Sequence, residues 1–273
     1  MKKVRWIIQD NLIAENDLKQ LQEACNKLGL PFQEITVVPF SAELPDFPID
    51  NEYENIYYGS TTLMNNIYEQ LDKPVGLFYN HETFSMENYI EKWGEHMLNC
   101  DASLTYVNNL IKRPTFYGPL DKQVFVRPDG DGKEFDGQVG TILEISEMLK
   151  RTLEYEGPMT KDSKILIGPA YNIHREWRNY CVNGKVITSS RYRNNFRLSK
   201  SGLDIPTDMI TFVEDRLAEY QPHDVIAVDI AEVMDDGVMK YYIIECGCMN
   251  SVGFYASDIF DYVHATSNYI KNL

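Results

Sequence analysis

The sequence predicts a mixed α/β (α+β) protein in which a small parallel lobe precedes a mostly antiparallel body. Two observations carry this. Over the first 80 residues, strand-like and helix-like segments alternate across short connectors, the pattern of a parallel sheet with crossover helices. From about residue 160 onward, β-rich runs follow one another across tight turns, the pattern of antiparallel hairpins. With 273 residues, 44% of them hydrophobic and 25% charged, the chain has ordinary globular composition and length for one large domain or two to three lobes.

Taken in order, "VRWIIQ" reads as a strand. "ENDLKQLQEACNKLGL" reads as a helix with Leu18, Leu21, Ala24, Cys25 and Leu28 on one stripe and Gly29 closing it. "FQEITVVPF" and "ENIYYG" are strands, and "STTLMNNIYEQL" is a helix capped by Ser60 or Thr61. "PVGLFY" supplies a fourth strand. "FSMENYIEKWGEHML" is helical, "KQVFVRP" is a strand entering a glycine-rich loop, and "TILEISEMLKRTLEYEG" is a helix ending at Gly157. Strands "SKILIGPA", "REWRNYCV" and "GKVITSSRYR" follow, the last two joined by Asn183-Gly184, which tolerates the positive φ of a type I′ turn. "PTDMITFVEDRLAEY" is a helix with Pro206 near its start. "DVIAVDIAEV" and "VMKYYIIEC" form a hairpin around Asp235-Asp236-Gly237, and "DIFDYVHATSNYI" is the last helix.

Composition narrows the function. A formal charge of −15 disfavours a nucleic-acid or anionic-membrane surface, because either needs a basic face. "MKKVRWIIQD" is too short in apolar residues for a signal peptide or a membrane span. Five cysteines do not form a paired framework, which suits a reduced, cytoplasmic setting. The 18 tyrosines, 12 phenylalanines and 3 tryptophans leave material for an interface, so a homodimer is possible.

Familiar metal and nucleotide motifs fail on spacing. "RPDGDGKEFDG" lacks the Lys-Ser/Thr of a P-loop and the helix start of a dinucleotide fingerprint. As a calcium loop it has Gly140 where the twelfth-position glutamate belongs. Cys246-x-Cys248 has no partner pair nearby, so buried thiols outweigh zinc.

What survives is a set of charged residues near strand ends. Arg127 precedes a loop with Gly130, Gly132, Gly137 and Lys133, residue types that let a backbone and two cations approach a polyphosphate. Glu176 and Arg178 share a strand face two residues apart, and Arg191 and Arg193 likewise on the next strand. Taken singly, the loop reads equally as a flexible hairpin and the basic strands as exposed ion pairs. Asp229 sits inside "VIAVDIAEV" and Glu245 ends the neighbouring strand. Two such carboxylates suit Mg²⁺, with Asn250 as a carboxamide ligand.

The order of these parts resembles an ATP-grasp enzyme. "VFVRPDGDGKEFDG" looks like the family's strand and phosphate-covering loop, with Arg127 where most members carry Lys. "REWRNYCVNGKVITSSRYR" is similar to the Glu-x-Arg strand and basic hairpin of the R2K clade. "VDIAEVMDDGVMKYYIIECGCMNSVGFYASDI" resembles that clade's metal-binding hairpin and tail. The resemblance covers roughly residues 124–258. It implies an N-terminal lobe (1–80), a smaller subdomain with the loop (81–165) and a C-terminal subdomain with the hairpin (166–273), the last two sandwiching ATP.

The activity so implied is an ATP- and Mg²⁺-dependent carboxylate–amine ligase that passes through an acyl phosphate, with small-molecule or peptide acids and amines as substrates. Asp229, Glu245 and Asn250 would hold the metal. Arg127, Lys133, Gly132 and Glu176 would bind the nucleotide, with Leu166 and Ile167 against adenine. Arg178 and Arg193 would act on the phosphoryl group or the acid. The chain departs from the family at Gly247, where Glu-x-Asn is usual. That departure keeps open a nucleotide-binding module without turnover. An acidic interaction protein is the other alternative.

Overall fold

The structure is a computed structural model and describes residues 2–39, 41–80, 82–132, 134–155 and 157–273. Its strands form three sheets.

The first is parallel, order β2-β1-β3, from β1 (Lys3–Gln9), β2 (Phe32–Ile35) and β3 (Tyr53–Tyr58). Trp6, Ile7 and Ile8 of β1 are all fully buried, as expected of a strand covered on both faces. Helix α1 (Glu15–Lys27) closes at Gly29, whose φ of +64° suits glycine. Helix α2 (Thr61–Gln70) is capped by Ser60, which accepts from the Leu63 N–H.

Two expectations fail in this lobe. The second strand stops at Ile35, because Asn11 takes both the N–H and the carbonyl of Val37 into side-chain hydrogen bonds. "PVGLFY" is not a fourth strand. It makes a single parallel bridge, Ile56 to Gly76, and its backbone is bonded by a side chain from elsewhere, described below. A Cβ at Gly76 would lie 1.9 Å from the Asn55 carbonyl oxygen. Gly76→Ala therefore has no side-chain route of escape and should cost about 3 kcal/mol, the upper end for overpacking. Chemical denaturation of this variant reads the loss.

The second sheet, order β4-β7-β5-β6, is antiparallel: β4 (Ser103–Tyr106), β5 (Gln123–Pro128), β6 (Gln138–Thr141) and β7 (Lys164–Pro169). Helices α4 (Val107–Lys112) and α5 (Ile142–Thr152) cover one face through Val107, Leu110, Ile145 and Leu149. Thr141 and Glu144 form a reciprocal capping box at the start of α5, which ends five residues before Gly157. β7 lies wholly in this sheet, so a boundary at 165/166 falls within a strand. Helix α3 (Met86–Trp93) and a 3-10 turn (Gly94–His96) replace the single helix expected over that stretch.

The third sheet is antiparallel, order β10-β9-β8-β11-β12. Its strands are β8 (Ile173–Val182), β9 (Lys185–Asn194), β10 (Arg197–Ser201), β11 (Val225–Asp235) and β12 (Val238–Gly247). Both expected tight turns form, with positive φ at Asn183, Gly184, Asp236 and Gly237. Helix α6 (Thr207–Glu219) joins one face's core through Met209, Val213 and Leu217. Helix α7 (Ile259–Lys271) returns to the first lobe, where Trp6 donates its indole N–H to Ser267. Among the described residues no helix is long and apolar enough to cross a membrane.

Candidate functional site

Register places the charged residues before any side chain is considered. Glu245 lies directly opposite Asp229, and Asp229 directly opposite Arg178, so one row crosses β12, β11 and β8. Along the same face of β11, Ala227 packs with Tyr180 and Val182 in the cluster shared with the first lobe. Ala231 and Val233, two and four residues beyond Asp229, enter an apolar cluster with Leu98, Tyr171, Ile173, Tyr242 and Ile244. The polar row therefore sits between a packed end and an apolar wall.

Arg178 grips Asp229 with two parallel hydrogen bonds, Nε to Oδ1 at 2.8 Å and Nη2 to Oδ2 at 2.7 Å. Asp229 is 3% exposed. Burial pushes its carboxyl up and Arg178 opposes this through charge and hydrogen bonds. From the facing four-stranded sheet, Arg127 forms an ion pair with Glu245. Burial opposes the charge on Arg127, and the Glu245 carboxylate more than offsets it, leaving the guanidinium firmly protonated. Two carboxylates and two guanidinium groups from two sheets thus meet at one place.

Two β-bulges shape the surroundings. Asp229 pairs with Glu245 but Ile230 with Ile243, which leaves Ile244 as an extra residue. Glu176 pairs with Arg193 but Trp177 with Arg191, which leaves Tyr192. Bulges redirect side chains. The Tyr192 hydroxyl reaches Glu176 at 2.8 Å and Asp229 at 3.3 Å, and its ring stacks on Tyr255 at 4.8 Å. Glu176 is itself buried, which raises its carboxyl, and Arg193 stands 3.6 Å from it. The second bulge also separates the two arginines expected on one face: Arg193 faces Glu176, whereas Arg191 turns to Asp204.

The remaining expected residues divide. Gly132 lies in the β5–β6 loop, where an added Cβ would meet nothing within 4 Å, so packing does not demand a glycine. Lys133 lies outside the described residues. The loop is tied at Asp129, which accepts from the Glu87 N–H at the start of α3, and at Asp131, which accepts from the Cys248 N–H at 3.0 Å.

Leu166 and Ile167 do not form one wall, because neighbouring residues of a strand point to opposite faces. Leu166 pairs with Arg127 and joins the central core, while Ile167 packs with the core beneath α4 and α5.

Asn250 is fully buried and bonded to backbone at both ends of its carboxamide. Its Oδ1 accepts from the Phe78 N–H at 2.7 Å, and its Nδ2 donates to the Tyr57 and Gly76 carbonyls at 2.7 and 2.8 Å. The side chain is a brace to the first lobe and does not join the Asp229–Glu245 pair. It also explains why "PVGLFY" lacks a ladder. Cys246 and Cys248 are each 2% exposed and lie in the core.

Tyr192 and Tyr255 are the residues that sequence reasoning passed over. Tyr192 needs the bulge to reach the carboxylates, and a bulge leaves no local mark in "SSRYR". Tyr255 sits in the tail already compared with the family, but its ring contacts are long-range.

Residues 107–265 match the family described as ATP-grasp domain, R2K clade family 2, a span of more than half the chain. The chain belongs to this family. Solved structures agree with an ATP-grasp fold in this R2K-clade protein. D-cycloserine synthetase DcsG is similar at 13% identity and TM-score 0.65, over 97% of this chain and 99% of its own. A RimK domain ATP-grasp protein from Sphaerobacter thermophilus is similar at 9% identity and TM-score 0.59, over 98% of each chain. D-alanine–D-alanine ligase from Bacillus anthracis, complexed with ATP, is similar at 14% identity and TM-score 0.55, over 100% of this chain and 99% of its own. At such identities the likeness concerns the fold. No curated protein matches the sequence.

Among the described residues no group of three or more His, Cys, Asp or Glu side chains is arranged to hold a metal. Asp229 and Glu245 are nevertheless a sound donor set for Mg²⁺, which commonly takes one or two carboxylates and completes its shell with phosphate oxygens and water.

Proposed function

We propose that this ATP-grasp protein is an ATP-dependent carboxylate–amine ligase acting through an acyl phosphate. The observation that carries the reading is the meeting of Arg127 and Glu245 from facing sheets beside the Arg178–Asp229 pair. Without a ligand each carboxylate is neutralised by an arginine. An incoming triphosphate offers those arginines other anions and frees the carboxylates for a cation.

In this reading Arg127 grips the phosphates, and the loop carrying Gly132 and Lys133 covers them and keeps water out. That matters because an acyl phosphate hydrolyses when wet. Asp229 and Glu245 would hold Mg²⁺, which supplies neutralisation of the β- and γ-oxygens. The adenine lies against Val233, Tyr242 and Ile244 rather than against Leu166 and Ile167. Val233 and Tyr242 line a cleft of about 670 Å³ together with Leu98 and Tyr171.

Arg178 and Arg193 hold the acid and the transferring phosphoryl group, with planar forks suited to either. Glu176 and Tyr192 keep both arginines and Asp229 in place. The carboxylate takes the γ-phosphoryl group and releases ADP, then the amine attacks the acyl carbon and expels phosphate. We place the boundary between the two ATP-holding subdomains after Pro169, where β7 ends, and keep the first lobe at 1–80.

One observation favours a second reading, a module that binds Mg·ATP without turnover. Gly247 has no carboxamide, a Cβ there would sit 3.0 Å from Val252, and Asn250 is committed elsewhere. Thermal unfolding and ADP release together decide. Mg·ATP at ~100 times its Kd should stabilise the protein by about 2.7 kcal/mol, and chelating the metal should remove most of that shift. ADP release that requires both an acid and an amine supports the ligase. A thermal shift without release from a broad panel supports the module.

A further inference from the structure

The charge on the five-stranded sheet is segregated. Carboxylates Glu245 and Asp229 occupy the β12–β11 side, and beyond Arg178 the β9–β10 side carries Arg193 and Lys200. In a chain of net charge −15 this is a local reversal of sign. The side chain of Arg193 is 53% exposed and its carboxylate partner stands 3.6 Å away. Lys200 is exposed and makes no ion pair within 4 Å among the described residues. It interacts through charge with Asp17 on α1, whose carboxylate also accepts from the Phe254 backbone.

Tyr255 organises this side. Its φ of +58° lies in the left-handed region, which residues with a side chain occupy at a cost, and such strain gathers at ligand sites. The backbone is held there because Gly253 accepts from Arg178 and Tyr180, and the Ala256 N–H donates to Ser190. The ring stacks on Tyr192, with the Arg178 guanidinium 5.1 Å and the Lys200 ammonium 5.7 Å from its centroid. The two centroid distances together bring these charges within about 11 Å of each other, a gap that two carboxylates joined by a few carbons can bridge.

We propose that Lys200, positioned over the Tyr255 ring, binds a second carboxylate of the acid substrate while Arg178 and Arg193 take the reacting one, so that the acid is a dicarboxylate. This rests on the ligase reading and narrows it. A monocarboxylate fills only the arginine end and leaves Lys200 solvated. A cationic acid meets three positive charges around one aromatic pair.

The test is thermal unfolding in Mg·AMP-PNP with glutarate or with butyrate, on wild type, Lys200→Gln and Lys200→Glu. Lys200 is exposed, so both variants should fold. Wild type should bind glutarate at least tenfold more tightly than butyrate, as expected for one added charge-assisted contact. Lys200→Gln should lose about that factor for glutarate and leave butyrate unchanged, and Lys200→Glu should go further. Equal binding of the two acids, no binding of either, or a preference that survives Lys200→Gln overturns the subsite. The shift given by Mg·AMP-PNP before any acid is added reports the nucleotide site separately. If that shift is missing, the ligase reading falls and the subsite with it.

Discussion

Asp229→Asn is expected to lose the Mg·ATP-dependent thermal shift and to slow ADP release by about 10³-fold, roughly 4 kcal/mol of transition-state stabilisation. The amide keeps the shape of the carboxylate but removes the charge at the centre of the Glu245–Asp229–Arg178 row. The apo protein should also be destabilised, because Arg178 is left buried beside a neutral partner, and breaking such a pair costs about 3 kcal/mol or more. That second effect would accompany any broken buried ion pair, so a control is needed. Glu232 is 4% exposed and accepts two hydrogen bonds from Arg175, but it points to the opposite face of β11. Glu232→Gln should lower the melting temperature comparably and keep the ligand shift. If the two variants respond alike to Mg·ATP, the Asp229 row is structural.

Asn250→Ala should show the reverse pattern. Truncation takes from the Phe78 N–H and the Tyr57 and Gly76 carbonyls a side chain that meets them at 2.7–2.8 Å in a buried site, and leaves the Gly76 carbonyl only a longer bond from the Tyr57 N–H. At about 1–3 kcal/mol for each unsatisfied group, partly relieved by entering water, a loss of about 4 kcal/mol follows. For a chain of this size that is a fall of roughly 10 °C in Tm. The Mg·ATP shift should persist, because Asn250 serves the first lobe. A variant of normal stability that no longer responds to Mg·ATP would return Asn250 to the metal.

The two variants probe residues whose placement was unequally legible in the sequence. The nearness of Asp229 and Glu245 was legible because a tight Asp-Asp-Gly turn fixes the pairing as far as Ile230 with Ile243. The bulge at Ile244, which leaves no local mark, then sets the two carboxylates directly opposite. Arg178 was legible through its two-residue spacing from Glu176 on a strand. Asn250 was expected beside Glu245 and is bonded elsewhere, because nearness in sequence says nothing once β12 has ended at Gly247. The chain then turns back to the first lobe, and its partners there lie more than 170 residues away in sequence. Arg191 and Arg193 were placed together by alternation, and a single extra residue, Tyr192, put them on opposite faces. Leu166 and Ile167 failed for the opposite reason: alternation itself separates them.

By itself the amino-acid sequence determined the succession of most elements, the tight hairpins and the ordered charged segments of an R2K-clade ATP-grasp protein. Periodicity, turn chemistry and residue spacing act within a few residues, and these features need nothing more. Only the tertiary structure decided that Arg127 reaches Glu245 across two sheets, that Tyr192 is turned onto Asp229, that Asn250 braces a lobe and that Lys200 stands over Tyr255. Those contacts depend on bulges, strained backbone and the docking of separate sheets, and each is set by packing between segments far apart in the chain.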